Sequence, residues 1–398
     1  MRRTHTVCIA LFALFLWMPA VQRMARPFPS FALDGVENLA PGARFTLRNW
    51  LSGEYAKQYE AYHDEHIGFR GPLVRTYNQV QYSVFRRIPG RRGTQIVRGQ
   101  GHWLYESEYI RRMRQPGHAT AEELAPLAVN LKRLQDALQT HGVAMLVVVS
   151  PSKPAIYPEH LPEEMKPAGA APDNEYTRLM PLLNRHGVRC VDAHRIFETT
   201  APTAPYPLFT PGGTHWNHYG AFVVVQEMLK SLREASGKAL PAPECRWVAL
   251  LPPKGADNDL GLLLNLWHYP GASVPAPYPR PVIPDRGAKH RPSILFVGDS
   301  FVFTLLDVIR AGDLSPLCHL LYYNKRLFTY RDTNHETDHA LIPNWPVSGD
   351  EFDWNALVLG KDAVVLEVNE IRIGEIGWGF IDDALRRLEP TAPPAGGR

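Results

Sequence analysis

The chain has 398 residues, of which 45% are hydrophobic and 21% are charged, a composition typical of a globular protein with a large core. Its formal net charge of +3 gives no domain-wide basic field, so nucleic acid is not an expected partner. The four cysteines form no close CxxC or Cys/His set, which argues against a structural zinc site and a disulfide-dense scaffold. The 36 prolines outnumber the 30 glycines and predict many long, ordered loops.

Residues 1–25 predict a membrane anchor or signal segment. Residues 6–21 form an uncharged apolar run between Arg3 and Arg23, and as a helix they would span about 24 Å, slightly less than a bilayer core. A secretory signal peptide has the same pattern, but the available cleavage points place large residues where small ones are needed. We therefore favour an uncleaved anchor with the rest of the chain exported. A buried N-terminal helix in a cytosolic protein is the remaining alternative.

Two segments precede the regular part of the chain. Residues 26–92 are mixed in pattern and rich in aromatic side chains, and we expect them to form an N-terminal extension that packs on the main domain. Residues 93–105 have apolar residues on both sides of a Gly-rich turn, which predicts a hairpin. The main domain is expected to cover residues 93–389.

From residue 124 the chain alternates between predicted helices and strands. Continuous apolar runs are typical of strands buried on both faces, and a period of about 3.6 residues is typical of helices. In chain order the patterns predict helix 124–140, strand 143–149, helix 175–185, strand 188–191, helix 217–236, strand 294–297, helix 301–311, and strands 317–323 and 363–368. Because helical crossovers join parallel strands economically, we predict an α/β fold with a parallel sheet flanked by helices.

Two further segments lack periodic patterns. Residues 240–289 are crowded with proline, and a loop of this length in a compact domain is usually functional or poorly ordered. We therefore expect a Pro-rich insertion there. The last residues, 390–398, are expected to be a disordered tail.

Ser300 and His215 are the candidate catalytic pair. Ser300 lies in the run Gly298-Asp299-Ser300-Phe301, where a buried strand meets a helix. Ligands bind at the carboxyl edge of such sheets, and the helix N-terminus offers N–H groups to an oxyanion. Serine also needs a base, and His215 lies on a Gly-rich loop before a helix. The alternatives are a helix-capping serine and an ordinary core or surface histidine.

Several segments occur in an order that is found in one bacterial enzyme family. They are 64–70 (DEHIGFR), 97–105 (VRGQGHWLY), 150–161 (SPSKPAIYPEHL), 214–217 (THWN), 298–301 (GDSF) and 366–373 (LEVNEIRI). Over residues 30–385 the chain therefore resembles the SGNH hydrolase-like O-acetyltransferases of bacterial exopolysaccharides, the alginate AlgX/AlgJ type. The resemblance implies an SGNH hydrolase-like sheet, with Ser300 as nucleophile and His215 as general base.

The resemblance also implies partners and a location. It implies a secreted polysaccharide as acceptor and a membrane-bound O-acyltransferase as the partner that supplies the acetyl group, with no soluble cofactor. The protein is then expected in the periplasm, held to the inner membrane by its N-terminal segment.

One position departs from the family pattern. The family has Asp-x-His-Trp, and Gly213 stands where that aspartate is expected. Loss of the carboxylate that orients a catalytic histidine can cost about 10⁴ in rate. Another acid could substitute, a Ser-His dyad could work slowly, or the protein could be non-catalytic. Asp192, at the end of a predicted strand, is the candidate acid, with a helix cap as its alternative. Asp299 is expected to bond backbone within the Ser300 turn.

The remaining candidates are weaker. Asn369 follows the strand 363–368, where SGNH-type folds keep an oxyanion-hole amide, so Asn369 and the Ser300 N–H are the predicted oxyanion donors. A turn-forming asparagine is the alternative. The candidate substrate-binding residues are Lys153, Tyr157, Trp216 and Arg372. His63 and His66 lack the spacing and further ligands of a zinc site, so no metal is expected.

The leading hypothesis is an anchored O-acetyltransferase that works through an acetyl-Ser300 intermediate. An esterase or deacetylase would use the same site with water as acceptor, and the choice depends on how well the loops exclude water. A third hypothesis is a catalytically degenerate scaffold of an exopolysaccharide assembly complex, for which Gly213 is the main support.

Overall fold

A computed structural model of the chain describes residues 2–35, 39–88, 95–115, 117, 119–167, 173–284, 290–331, 342–346 and 352–388. The elements fall into two units. One comprises Met1–Arg91 with Leu260–Tyr269, and the other comprises Arg92–Asp259 with Pro270–Arg398. The tail that the sequence predicts for 390–398 lies outside the described residues.

The N-terminal unit is helical. Its helices are α1 (Arg2–Ala25), α2 (Leu47–Leu51), α3 (Glu54–His66) and α4 (Arg70–Ser83). The stretch Thr4–Ala25 of α1 is long and apolar enough to cross a membrane, by length and composition, and none of its window is buried. Residues 260–269 are held by α4, where Arg75 donates to the carbonyl of Leu266 at 3.0 Å and Asn78 donates to that of Leu264 at 2.9 Å.

The second unit is built on strands and helices that alternate along the chain. Its strands are β1 (Ile96–Arg98), β2 (Leu104–Glu106), β3 (Ala144–Ser150), β4 (Cys190–Asp192), β5 (Glu244–Leu251), β6 (Ala276–Val282), β7 (Ile294–Gly298), β8 (Leu317–Tyr322), β9 (Arg326–Arg331), β10 (Ile342–Pro346) and β11 (Ala363–Asn369). Its helices are α5 (Ser107–Arg114), α6 (Ala121–Thr140), α7 (Lys153–Ile156), α8 (Glu175–His186), α9 (Ala193–Thr200), α10 (His218–Ser236), α12 (Phe301–Ala311) and α13 (Phe380–Leu388). The short helix α11 (Asp259–Leu263) begins at Asp259, and its remaining residues belong to the segment 260–269 of the N-terminal unit.

Seven strands form the main sheet in the order β10-β9-β8-β7-β11-β3-β4. The five strands from β8 to β4 are parallel, which confirms the predicted α/β sheet. β9 and β10 are antiparallel additions, so the sheet is mixed rather than wholly parallel. The chain reverses directly after β8, and such a reversal needs no helical crossover.

The central strands are buried because helices cover both faces of the sheet. Every residue of β3, β7 and β11 is buried. Alternate β3 residues fall in two different core clusters, one that includes residues of α10 and α12, and another that includes residues of α6, α8 and α13. The period-2 alternation of a strand therefore divides one apolar run between two cores.

The Pro-rich segment is more regular than the sequence predicts. β5 and β6 pair as a two-stranded antiparallel ribbon, although Pro277, Pro279 and Pro281 occupy every second position of β6. Proline is tolerated in edge strands, and both strands of such a ribbon are edges. Between the two strands lie the 3₁₀ turn Gly255–Asp257, the helix α11 and a second 3₁₀ turn, Pro270–Ser273.

Candidate active site

The Ser300 turn joins β7 to α12 at the carboxyl edge of the sheet. Gly298 closes the strand, and a Cβ there would lie 2.7 Å from a methyl group of Val302 and 2.8 Å from a carboxyl oxygen of Glu367. Ser300 has helical dihedrals and its hydroxyl makes no capping bond. Instead, Ser300 Oγ lies 2.7 Å from Nε2 of His215. The structure therefore brings together the two side chains that the sequence pairs.

The loop before α10 carries His215 to this position. Asn217 caps the helix by accepting the N–H of Gly220 at 2.9 Å. Trp216 is fully buried, and its indole N–H donates to the carbonyl of Phe301 at 3.1 Å. This bond ties the histidine loop to the start of the Ser300 helix. The ring of Trp216, predicted from the sequence as a substrate contact, lies in the core in this structure.

The carboxylate on His215 comes from Asp259, a residue that the sequence analysis did not single out. Asp259 Oδ2 lies 2.7 Å from His215 Nδ1, and Asp259 Oδ1 accepts the backbone N–H of Thr214 at 2.8 Å. Burial alone would lower the pKa of His215, but the hydrogen bond and charge of Asp259 outweigh it and raise that pKa above its ordinary value. Ser300, His215 and Asp259 thus form a continuous Ser–His–Asp chain.

Asp192 does not contact His215. Its carboxylate caps α9 by accepting the N–H of Arg195 at 3.0 Å, and it accepts the hydroxyl of Tyr176 at 3.0 Å. Asp192 is therefore a helix-capping residue, the alternative predicted for it from the sequence. The carboxylate that contacts His215 Nδ1 is that of Asp259.

Gly213 is explained by the same segment that supplies Asp259. A Cβ at position 213 would meet the carbonyl oxygen of Ala256 well under 3.0 Å, and would also lie 2.8 Å from the hydroxyl oxygen of Thr210. The backbone at 256–257 therefore occupies the volume that a side chain at 213 would need. The same segment therefore excludes a side chain at position 213 and supplies the acid, Asp259.

A second histidine anchors this acid-bearing segment. His218 Nδ1 lies 2.9 Å from Asp257 Oδ2, and its Nε2 lies 3.7 Å from Asp307 Oδ2. Asp257 is fully buried, and its carbonyl accepts the hydroxyl of Thr210. Burial would lower the pKa of His218, but the two carboxylates raise it to about 9. His218 therefore holds Asp257, which lies two residues before Asp259 in the chain.

Replacing His218 by glutamine should destabilise the protein most at low pH. Its folded pKa of about 9 exceeds the ordinary value of 6.5, so its stabilisation is fully present below 6.5 and is lost as the pH rises through 9. We expect H218Q to lose on the order of 3 kcal/mol at about pH 6. Urea unfolding of both proteins at about pH 6 and about pH 9.5 measures the difference. An equal gap at both pH values would contradict a charged His218.

Lys153 is a structural residue of the catalytic loop rather than a ligand of substrate. Its side chain is fully buried, and its ammonium donates to the carbonyls of Leu104 at 2.8 Å, Pro211 at 2.9 Å and Gly213 at 2.7 Å. These acceptors match its three N–H donors. In this structure the Lys153 side chain holds the backbone that precedes His215.

Tyr157 has a similar supporting role. Its hydroxyl accepts the N–H of Leu208 at 2.9 Å, and its carbonyl accepts the hydroxyl of Tyr105 at 2.7 Å. Its ring also lies against that of Trp103, with centroids 5.0 Å apart. These contacts place Tyr157 in the wall behind the histidine loop.

A buried carboxyl pair lies behind the Ser300 turn. Asp299 accepts the N–H of Phe301 at 2.9 Å, as the sequence analysis expects, and its own N–H donates to Glu367 Oε2 at 3.0 Å. Burial raises the pKa of both carboxyls, and the charge of Asp299 adds to the effect at Glu367, whose pKa lies well above its ordinary value. The two carboxyl groups also share a side-chain hydrogen bond.

The oxyanion donors are only partly as expected. The Asn369 amide donates to the carbonyl of Pro151 at 3.2 Å, and its oxygen accepts the N–H of Ile371 at 3.2 Å. Asn369 therefore closes the strand end instead of offering its amide to Ser300, as its turn-forming alternative predicts. The N–H of Ser300 donates to no other residue in the described ranges, so it remains available at the helix N-terminus.

Arg372, like Tyr157, is a substrate-binding candidate that is not fully buried. Its guanidinium pairs with Glu375 at 3.0 Å, and both side chains are close to half exposed. Within the described part of the chain, no group of three His, Cys, Asp or Glu side chains could hold a metal ion.

Comparisons with known proteins identify the family of this chain. Residues 96–305, just over half of the chain, match the family described as ALGX, an SGNH hydrolase-like domain of the acetyltransferase AlgX. A protein of Pseudomonas syringae pv. tomato named probable alginate O-acetylase AlgJ is 24% identical over 56% of this chain and 52% of its own length. Its namesake from Pseudomonas aeruginosa is 26% identical over 48% and 46%. The chain thus matches about half the length of these relatives.

Solved structures give weaker likenesses. The O-acetyltransferase domain of Pseudomonas putida AlgJ is 18% identical, with a TM-score of 0.41 over 74% of this chain and 99% of that one. Pseudomonas aeruginosa AlgX is 15% identical, with a TM-score of 0.43 over 73% and 67%. Superpositions at these scores carry no argument of their own. The family match, together with the parallel strands and the Ser300 turn, confirms the predicted SGNH hydrolase-like fold.

Proposed function

Since this chain belongs to the family of SGNH hydrolase-like domains of the AlgX acetyltransferase type, we propose that it is an O-acetyltransferase. It transfers an acetyl group to hydroxyls of a secreted bacterial polysaccharide through an acetyl-Ser300 intermediate. The observation that carries the proposal is the Ser300–His215–Asp259 chain, with 2.7 Å at each of its two links. The relatives are named probable alginate O-acetylases, which favours alginate, or a polymer like it, as the acceptor.

The first half of the proposed reaction loads the enzyme. His215 takes the proton of Ser300 Oγ while that oxygen attacks the acetyl carbonyl of the donor. Asp259 holds the imidazole by Nδ1 and stabilises the imidazolium that forms. The Ser300 N–H donates to the developing oxyanion. The carbon–leaving group bond then breaks, the leaving group takes the proton from His215, and acetyl-Ser300 remains.

The second half repeats these steps with a sugar. His215 takes the proton of a sugar hydroxyl, whose oxygen attacks the acetyl carbonyl. The ester bond to Ser300 breaks and His215 returns the proton to Ser300 Oγ. Water in place of the sugar would give an esterase, so the outcome depends on which acceptor the site holds.

The contact between Asp259 and His215 favours catalysis over a degenerate scaffold. Gly213 supported the scaffold hypothesis because no acid was apparent, and Asp259 supplies one at 2.7 Å. We further propose that α1 anchors the protein in the inner membrane, with the catalytic unit in the periplasm. A membrane-bound O-acyltransferase would then supply the acetyl group on that side.

An acetyl-trapping experiment tests the proposed function. Full-length protein in detergent is mixed with p-nitrophenyl acetate, and we expect a burst of p-nitrophenol together with an acetyl group on the Ser300 peptide by mass spectrometry. Adding alginate oligosaccharide should then produce acetylated sugar. Acetate release with no acetylated sugar would support the esterase alternative. No acetyl-Ser300, combined with loss of polymer acetylation only when the whole gene is deleted, would support the scaffold.

A further inference from the structure

Several side chains that the proposed mechanism does not use surround the catalytic pair. Glu106 ends β2 and hydrogen-bonds the hydroxyl of Thr214, the residue before His215. Tyr109 follows on the first turn of α5. Tyr323 donates its backbone N–H to the carbonyl of Gly298 at 3.0 Å, two residues before Ser300. Each of these three residues is half-buried, and we refer to them together as the wall.

Tyr323 lies in a strained stretch of backbone. Tyr323, Asn324 and Trp378 have φ of 50°, 52° and 44°, a left-handed conformation that costs of order 1 kcal/mol outside glycine. They support one another, since Asn324 donates to the carbonyl of Trp378 at 3.0 Å and the Tyr323 and Trp378 rings meet at 5.0 Å. Strain that the surrounding contacts hold in place is typical of ligand-binding sites.

Glu106 is not needed as a partner of His215. Both ring nitrogens of that histidine are already bonded, one to Ser300 and one to Asp259. Burial and the nearby charge of Asp259 raise the pKa of Glu106, so the surroundings of this side chain disfavour its charged form. A carboxylate with spare acceptor capacity in such a place is better explained by a ligand that donates hydrogen bonds to it.

The other groups of the wall carry protons. Burial raises the pKa of Tyr109 and of Tyr323 above the ordinary value, so both phenols keep their protons at neutral pH, and the Tyr323 hydroxyl is already hydrogen-bonded to that of Tyr322. Arg372 lies within electrostatic reach of both tyrosines and of Glu106, and its pair with Glu375 is open to solvent. One carboxylate acceptor among phenol and guanidinium donors matches the hydroxyls of a sugar ring.

Resting on the proposed function, we infer that Glu106, Tyr109, Tyr323 and Arg372 form the acceptor subsite. It takes a pyranose ring beside Ser300, and Glu106 accepts a hydrogen bond from a hydroxyl that neighbours the one being acetylated. The subsite holds the sugar over acetyl-Ser300 and so favours transfer over hydrolysis. No covalent step changes, because the hydroxyl proton still passes to His215.

The test compares transfer with hydrolysis in the full-length protein. With p-nitrophenyl acetate as donor and a mannuronate oligosaccharide as acceptor, acetylated sugar and free acetate are quantified by mass spectrometry and an enzymatic acetate assay. Glu106→Gln keeps the size of the side chain and removes its charge. We expect the ratio of transfer to hydrolysis to fall about tenfold, the size of effect that one charge-assisted hydrogen bond provides.

Glu108→Gln is the matched control. Glu108 lies two residues further along the chain, where it pairs with Arg111 and Arg112 at the surface, and its substitution should leave the ratio unchanged. Tyr109→Phe, which removes one hydroxyl, should lower the ratio in the same direction as E106Q.

The outcomes separate this inference from the proposed function. An E106Q protein that loads acetyl onto Ser300 with an unchanged ratio would overturn the subsite while leaving the acetyl-enzyme intact. Equal losses of loading and transfer would assign Glu106 to the support of His215 and also overturn the subsite. Absence of acetyl-Ser300 in the unmodified protein would instead contradict the proposed function itself.

Discussion

Replacing Ser300 by alanine is expected to lower acetyl transfer by about 10⁶-fold, the loss that follows removal of the nucleophile from a serine–histidine enzyme. Ser300 Oγ is the atom that lies 2.7 Å from the base, and no acetyl-enzyme can form without it. The fold should be unaffected, because the hydroxyl makes no capping bond to α12. Single-turnover assays of p-nitrophenol release and of sugar acetylation measure the loss.

Ser273→Ala is the control for this substitution. Ser273 is exposed at the end of a short 3₁₀ turn, so the variant should keep full activity. If S300A retained acetyl transfer while its circular dichroism matched that of the unmodified protein, another side chain would have to be the nucleophile.

Asp259→Asn is expected to reduce turnover by about 10⁴-fold while leaving Ser300 and His215 in contact. An amide accepts at Nδ1–H less well than a carboxylate and cannot stabilise the imidazolium. The hydrogen bond and charge of Asp259 also raise the pKa of His215. That pKa should therefore fall in D259N, and the rise of the residual activity with pH should move to lower pH. Turnover measured across the pH range gives both results.

Asp192→Asn separates the two acids that the sequence and the structure favour. Asparagine caps helices about as well as aspartate, so D192N should retain both α9 and activity. A large loss in D192N together with none in D259N would contradict the assignment of Asp259 as the acid.

The fold and the catalytic pair were predictable because their signals are local. The apolar runs of β3, β7 and β11 are long enough to require burial on both faces. Ser300 and His215 each lie where an element begins, so the topology of an α/β sheet brings them to one edge. Asn217 stands directly before α10 and caps it, a local contact that depends only on neighbouring residues.

The identity of the acid and the roles of the buried polar residues were not predictable in this way. Asp259 lies between β5 and β6, whose strand pattern is obscured in the sequence by prolines. Its contact with His215 depends on the path of the chain through this whole ribbon. The sequence did contain one signal, the acidic run Asp257-Asn258-Asp259 in a chain that lacks an acid at position 213. Lys153 and Trp216 match family segments, but a match does not reveal whether a side chain faces a ligand or the core.

The shared volume at position 213 also limits how such an enzyme can evolve or be re-engineered. An aspartate at 213 cannot be accommodated while the backbone at 256–257 stays in place, and removing that backbone first would leave the imidazole without its acid. Each single change passes through an impaired intermediate, so the two arrangements are separated by strong epistasis. A protein that carries its acid between β5 and β6, as this one carries Asp259, is expected to keep Gly213 and the ribbon together.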